Sequence, residues 1–185
     1  LTNDDLTKLL DTTDEWITKR TGIKERRIVE NGVTASDLAV EASLHALDDA
    51  NILPSEIDLI VAATITPDCL VPSTACFIQE KIGAKNAGAF DLLAACSGFV
   101  YALSIAKSFI ASGAMKTVLI VGTECLSKIT DYTDRSTCIL FGDGAGAVVV
   151  QRGHGKREIV STYLGSDGSQ ADLLKLPAGG SRLPV

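Results

Sequence analysis

Residues 91–99 read Asp-Leu-Leu-Ala-Ala-Cys-Ser-Gly-Phe, and the most reactive side-chain type among them is the thiol of Cys96. The apolar run Ala87 to Leu92 predicts a buried strand, and Ser97 to Ser112 predicts a helix ended by Gly113. The sulfur then sits where strand hands over to helix, facing unpaired N–H groups whose partial positive charge favours a thiolate. Ala94, Ala95 and Gly98 are small enough for a tight turn and leave room for a ligand beside the sulfur. The same amides could steady a developing oxyanion. That is a setting for covalent catalysis by cysteine. A packed core cysteine meets the same local pattern, and both readings stay open on these residues alone.

Other chemistry finds less support. The five cysteines, at 69, 76, 96, 125 and 138, are odd in number and contain no C-x-x-C pair, so neither a disulfide framework nor a zinc or redox site is expected. The two histidines do not suggest a metal centre. His45 lies on the polar side of a helix beside Asp48 and Asp49, and His154 lies in a glycine-flanked loop. With no placed histidine base, and a cysteine expected in the interior, a cysteine hydrolase is a poor fit. Gly142-Asp143-Gly144-Ala145-Gly146 leads into Ala147-Val148-Val149-Val150, a strand-like run. A phosphate-cradling loop must open a helix instead, so these glycines are read as permitting a turn and close backbone approach. Cys125 and Cys138 fall near Leu126 and Phe141, with packing the expected role for both thiols.

The elements that must position Cys96 follow from composition and pattern. The chain has 185 residues, is 46% hydrophobic and 22% charged, and has a mean hydropathy of +0.24, which excludes disorder. A net charge of −6 argues against nucleic-acid binding. The unbroken apolar runs, such as Leu59–Ala63 and Val118–Val121, are strand-sized rather than the roughly 18 residues of a membrane span. A cytoplasmic globular protein is expected. A polar opening, Leu1 to Arg27, precedes a helix from Thr34 to Ala50, with Thr34 and Asp37 as a capping box. Strands are expected at 58–64, 87–92, 116–122, 144–151 and 158–163, and a helix at 72–82. The helix from Ser97 to Ser112, before Gly113, is apolar on nearly every side and belongs in the interior of a large protein or between layers. Strands alternating with helices indicate an α/β fold with a mostly parallel, mixed sheet.

Residues 91–103 resemble the active-site segment of the β-ketoacyl-[acyl-carrier-protein] synthase III family, the initiating condensing enzymes of type II fatty acid synthesis. Asp11 to Ile17 with Arg20-Thr21-Gly22-Ile23 is similar to the family's amino-terminal signature. Thr133 to Ser136 and Phe141 to Ala147 resemble two further blocks, in the expected order.

The resemblance implies a thiolase-like layered fold (αβαβα), of which residues 1–185 would be the amino-terminal half, without the first strand or the carboxy-terminal half. It implies an acyltransferase that moves a short acyl group from acyl-coenzyme A, a substrate rather than a cofactor, to Cys96. That acyl group would then condense decarboxylatively with malonyl-acyl-carrier protein. It implies coenzyme A contacts at Thr12, Trp16, Arg20 and Arg135, with Trp16 and Arg135 sandwiching the adenine and Arg20 meeting the phosphates. An indole and a guanidinium both stack on a purine face. Ordinary packing for the tryptophan and solvated surface charges for the arginines are the plainer alternatives. Leu126 and Phe141 would line the acyl pocket. Val71 falls where many members place a larger side chain that reaches into a partner subunit of a homodimer. No segment matches the family's catalytic His or Asn motifs, so neither role is assigned. The alternatives are a related condensing enzyme of polyketide or quinolone synthesis, or a non-catalytic acyl-coenzyme-A-binding fragment.

Overall fold

The computed structural model describes residues 1–153 and 158–184. Two short helices, α1 (Asn3–Thr7) and α2 (Asp14–Thr21), occupy the polar opening where the sequence suggested no element. Both carry side-chain caps: Thr2 and Asp5 cap α1 reciprocally, and Thr13 accepts the Trp16 N–H at 3.1 Å. Helix α3 (Ala35–Ala50) starts at Thr34, whose N–H and hydroxyl both donate to Asp37, and ends at Asn51 in the left-handed region. Then come β1 (Leu59–Ala63), α4 (Thr74–Ile82), β2 (Gly88–Leu92), α5 (Gly98–Ser112), β3 (Thr117–Cys125) and β4 (Asp143–Gln151).

The four strands form one sheet in the order β2-β1-β3-β4. β1 pairs in parallel with β2 and β3, and β4 runs antiparallel to β3. The mixed, mostly parallel α/β architecture is therefore as expected. Alternation along the strands divides the core in two. Ile60, Ala62, Leu119 and Val121 pack under α3 and α4, while Leu59, Val61, Val118 and Ile120 pack under α5. Both sides of β1 are buried, which explains its continuous apolar run.

Four expectations change. Residues 158–163 form no strand. Their chain lies across α5, held by Lys107 Nζ to the Val160 carbonyl (2.7 Å), Thr162 to Ser104 (3.0 Å) and Tyr101 to the Gly165 carbonyl (3.3 Å). A segment tied to helix side chains in this way is not presented to the sheet edge. Helix α5 is buried along one stripe only, Gly98, Ala102, Ala106 and Ile110, because one sheet face can cover one stripe. Finally, Ala95–Ser112 is long and apolar enough to cross a membrane by length and composition, a match that counting unbroken runs overlooked because Lys107 and four serines interrupt it. Its Ala102 and Ala106 pack on the sheet. The start of α4 also falls at Thr74 rather than Pro72, because Asp91 accepts the Thr74 and Ala75 N–H groups at 2.7 and 2.8 Å.

Candidate functional site

β2 ends at Leu92, and the chain reverses through Ala94 and the 3₁₀ turn Ala95–Ser97 straight into α5. Ala95 has φ +46°, a left-handed conformation that costs a non-glycine residue roughly 1–2 kcal/mol. That bend leaves Cys96 exposed at the head of the helix. Among the described residues the thiol is not packed into a core. A Cβ at Gly98 would meet the Ala63 Cβ at 3.1 Å, so glycine lets the helix start lie close on the end of β1. Two of the amides expected to face the sulfur are engaged within the turn, Ser97 N–H with the Ala94 carbonyl and Gly98 N–H with the Ala95 carbonyl.

Cys96 opens onto a cleft of about 740 Å³ at the carboxyl ends of β1 and β3, the usual ligand position in open α/β sheets. Leu126 and Phe141 line it with Cys96, together with Phe99, Asp131, Asp134 and Leu174. Part of its floor is Gly122, Gly144 and Gly146. A Cβ at Gly144 or Gly146 would meet nothing within 4 Å, so these glycines keep the cleft empty. The close-approach role falls to Gly142, where a Cβ would come within 3.1 Å of the Arg27 carbonyl. Asp143 fixes this corner by accepting from Val29 N–H, Ser127 N–H and the Ser127 hydroxyl. Asp131 and Asp134 are held below the usual carboxylate range, chiefly by hydrogen bonds from Thr133 and from Ser136 and Thr137 respectively.

Glu124 was not singled out by sequence reasoning. It accepts from Ile65 N–H (2.9 Å) and the Thr66 hydroxyl (2.6 Å), closing the loop after β1 against the cleft wall. Its signal was a lone acid ending an apolar strand. Cys125 and Cys138 are buried, and burial raises both thiol pKa values, as packing roles require.

A second cluster adjoins the cleft. Trp16 on α2 is half-buried, with the guanidinium carbon of Arg20 at 4.1 Å from its ring centroid and that of Arg135 at 4.8 Å. Arg135 Nη1 also donates to the Asp11 carbonyl at 2.7 Å. Arg135 follows Asp134 of the cleft wall, so the cluster and the cleft share one loop. Thr12 lies beside it in the chain, and its hydroxyl is buried without a hydrogen-bond partner. Four of the residues singled out from sequence, Thr12, Trp16, Arg20 and Arg135, thus fall together, and three more, Cys96, Leu126 and Phe141, line one cleft. Val71 joins neither: it is 85% exposed on the loop before α4. His45 is exposed on α3, and His154 lies outside the described residues. Among the described residues no His, Cys, Asp and Glu cluster could hold a metal.

A family model described as 3-oxoacyl-[acyl-carrier-protein (ACP)] synthase III matches residues 90–168. The β-ketoacyl-[acyl-carrier-protein] synthase III of Caldanaerobacter subterraneus subsp. tengcongensis is 55% identical over 185 residues, all of this chain and 56% of that protein. The crystal structure of 3-oxoacyl-[acyl-carrier-protein] synthase III from Aquifex aeolicus VF5 superposes with TM-score 0.89 at 56% identity, over 91% of this chain and 55% of that one. The priming β-ketosynthase of the R1128 polyketide biosynthetic pathway gives TM-score 0.80 at 46% identity, over 83% and 46%. The chain spans about half the length of the curated relatives it matches.

Proposed function

We propose that the chain belongs to the β-ketoacyl-[acyl-carrier-protein] synthase III family, which its matches support, and that it carries the acyl-accepting half of an initiating condensing reaction. The observation that carries the reading is the exposed Cys96 at a strained strand-to-helix turn, opening onto a glycine-floored apolar cleft. As thiolate, Cys96 attacks the carbonyl carbon of a short acyl-coenzyme A. The coenzyme thiolate leaves and takes up a proton, and the acyl group remains as a cysteine thioester. Malonyl-acyl-carrier protein then loses carbon dioxide, and the carbanion so formed attacks that thioester. A 3-ketoacyl-acyl-carrier protein is released and the Cys96 thiolate regenerated.

Leu126 and Phe141 bound the space for the acyl chain. Trp16, Arg20, Arg135 and Thr12 form the nucleotide end, with the coenzyme bound as substrate. A purine between Trp16 and Arg135 needs about 7 Å, two stacking distances of ~3.5 Å. The observed 4.8 Å is too narrow. Arg135 must therefore release the Asp11 carbonyl and swing outward to admit the base, while its cation–π contact keeps the indole face ordered until then. The condensation step also needs donors for the enolate, and the chain has no match to the family's His and Asn motifs. A polypeptide of residues 1–185 alone is expected to form no ketoacyl product. A cytoplasmic homodimer is part of the proposal: β2 is an edge strand, and Val71 is exposed and does not line its own cleft.

The test is substrate exchange in the protein carrying this chain. Acyl-coenzyme A with malonyl-acyl-carrier protein should give ketoacyl product, and replacing the malonyl carrier by malonyl-coenzyme A should not. The reverse preference would favour the second reading, a priming ketosynthase of polyketide assembly, which the 46% identity to the R1128 enzyme supports. Valine at 71 leaves room for branched starters, so isobutyryl-coenzyme A should prime alongside acetyl-coenzyme A. Strict acetyl preference would contradict that.

A further inference from the structure

Arg26 is 4% exposed, and no carboxylate pairs with it among the described residues. Desolvation lowers its pKa, and Nη2 has no hydrogen-bond partner. Burying an unpaired guanidinium is costly, so the position calls for an explanation beyond packing. Its two other donors point in different directions. Nε donates to the Ile139 carbonyl at 2.8 Å, and Nη1 to Asn3 Oδ1 at 2.5 Å. Asn3 is itself 2% exposed, and its amide reaches both ends of α2: Asp14 Oδ1 at 2.7 Å in the first turn and the Ile23 carbonyl at 2.9 Å beyond the last. Ile139 belongs to the loop that carries Arg135 and Phe141. Arg26 therefore joins, through one fork, the helix bearing Trp16 and Arg20 to the loop bearing Arg135.

We infer that the Arg26–Asn3 pair is a positioning device for nucleotide recognition, setting the backbone spacing of α2 against the 131–141 loop so that Trp16 and Arg135 can open and close around a base. Arg135 must move by about 2 Å to admit a purine, the difference between 4.8 Å and two stacking distances. A side-chain swing of that size selects a flat ring only if the backbones on either side stay fixed. Surface contacts between two short segments would not hold them. A buried, directional pair does, because Arg26 Nε and Nη1 are rigidly related within one planar group. Lysine, a point donor, cannot serve both the Ile139 carbonyl and Asn3. The inference rests on the nucleotide end proposed above.

The experiment compares acetyl-coenzyme A with acetyl-pantetheine, the same thioester without the nucleotide, in the full-length enzyme carrying this chain. Arg26→Lys and Asn3→Ala are each expected to raise KM for acetyl-coenzyme A about tenfold, the scale of one lost charge-assisted hydrogen bond. Their kcat/KM for acetyl-pantetheine should stay within about twofold of the parent. Equal losses on both substrates would overturn the inference and leave a purely structural role. Unchanged KM for acetyl-coenzyme A would also overturn it. Trp16→Ala separates this inference from the reading it rests on: if that variant keeps the full preference for the coenzyme, the nucleotide end itself is misplaced. If Trp16→Ala loses the preference while Arg26→Lys and Asn3→Ala keep it, only the positioning role fails. Should Arg26→Lys not fold, Asn3→Ala decides, since it leaves the guanidinium in place.

Discussion

On the α3 and α4 side of the sheet, Ile60, Ala62, Leu119 and Val121 are covered without a gap. On the α5 side the same strands bury Val61 and Ile120, but towards their carboxyl ends they carry Ala63 and Gly122, and the neighbouring β4 contributes Gly144 and Gly146. One face is filled to its edge, and the other is emptied at one corner by residues without side chains. The cysteine stands at that corner. The contrast teaches that the site is made by withholding packing from a scaffold whose opposite face supplies the rigidity.

The largest effect expected on the open face is chemical. Cys96→Ala should reduce acyl transfer by at least about a thousandfold, whereas Cys138→Ala, in the core around Leu6 and Ile17, should keep transfer per folded molecule; steady-state kinetics on both checks this. Next comes the energetic contrast. Ile60→Ala is expected to cost about 2–5 kcal/mol in denaturant unfolding, and Val100→Ala on the exposed side of α5 to stay within about 0.5 kcal/mol. Similar costs at the two positions would break the comparison.

Smaller effects sharpen it. Gly146→Val should fit the strand yet narrow the cleft, lowering hexanoyl transfer about tenfold more than acetyl transfer in a chain-length series. The smallest effect belongs to the covered side. Asp37 is pulled down to about 2, first by Lys81 and then by the N–H and hydroxyl of Thr34. A depressed carboxylate stabilises the fold above its ordinary value near 3.8, and that contribution is lost as pH falls towards 2. Asp37→Asn should therefore flatten the fall in Tm over that window. The pair is half-exposed, so the change is below about 1 kcal/mol.

Much of this arrangement is written locally. The strand-to-helix junction at Cys96, the Thr34–Asp37 cap and the glycines after Phe141 each declare themselves through residue type and spacing. Cys96, Leu126 and Phe141 meet because they sit at one edge of the sheet, beyond the ends of β2 and β3 and before the start of antiparallel β4. What the sequence concealed depends on partners far along the chain. Asn3 and Arg26 look like two more polar residues in a polar opening, and only the fold buries them against Ile139, more than a hundred residues away. Residues 158–163 carry strand-like composition, yet their place is taken from α5's Lys107, Ser104 and Tyr101.

The most direct measurement is acylation mapping. The protein is incubated with radiolabelled acetyl-coenzyme A, digested at acidic pH and its peptides sequenced. The label should reside on the peptide containing Cys96, be released by hydroxylamine as a thioester is, and be absent from Cys96→Ala. Label on the peptide of Cys69 or Cys76, or undiminished label after the alanine change, would contradict the assignment of the nucleophile and the function built on it.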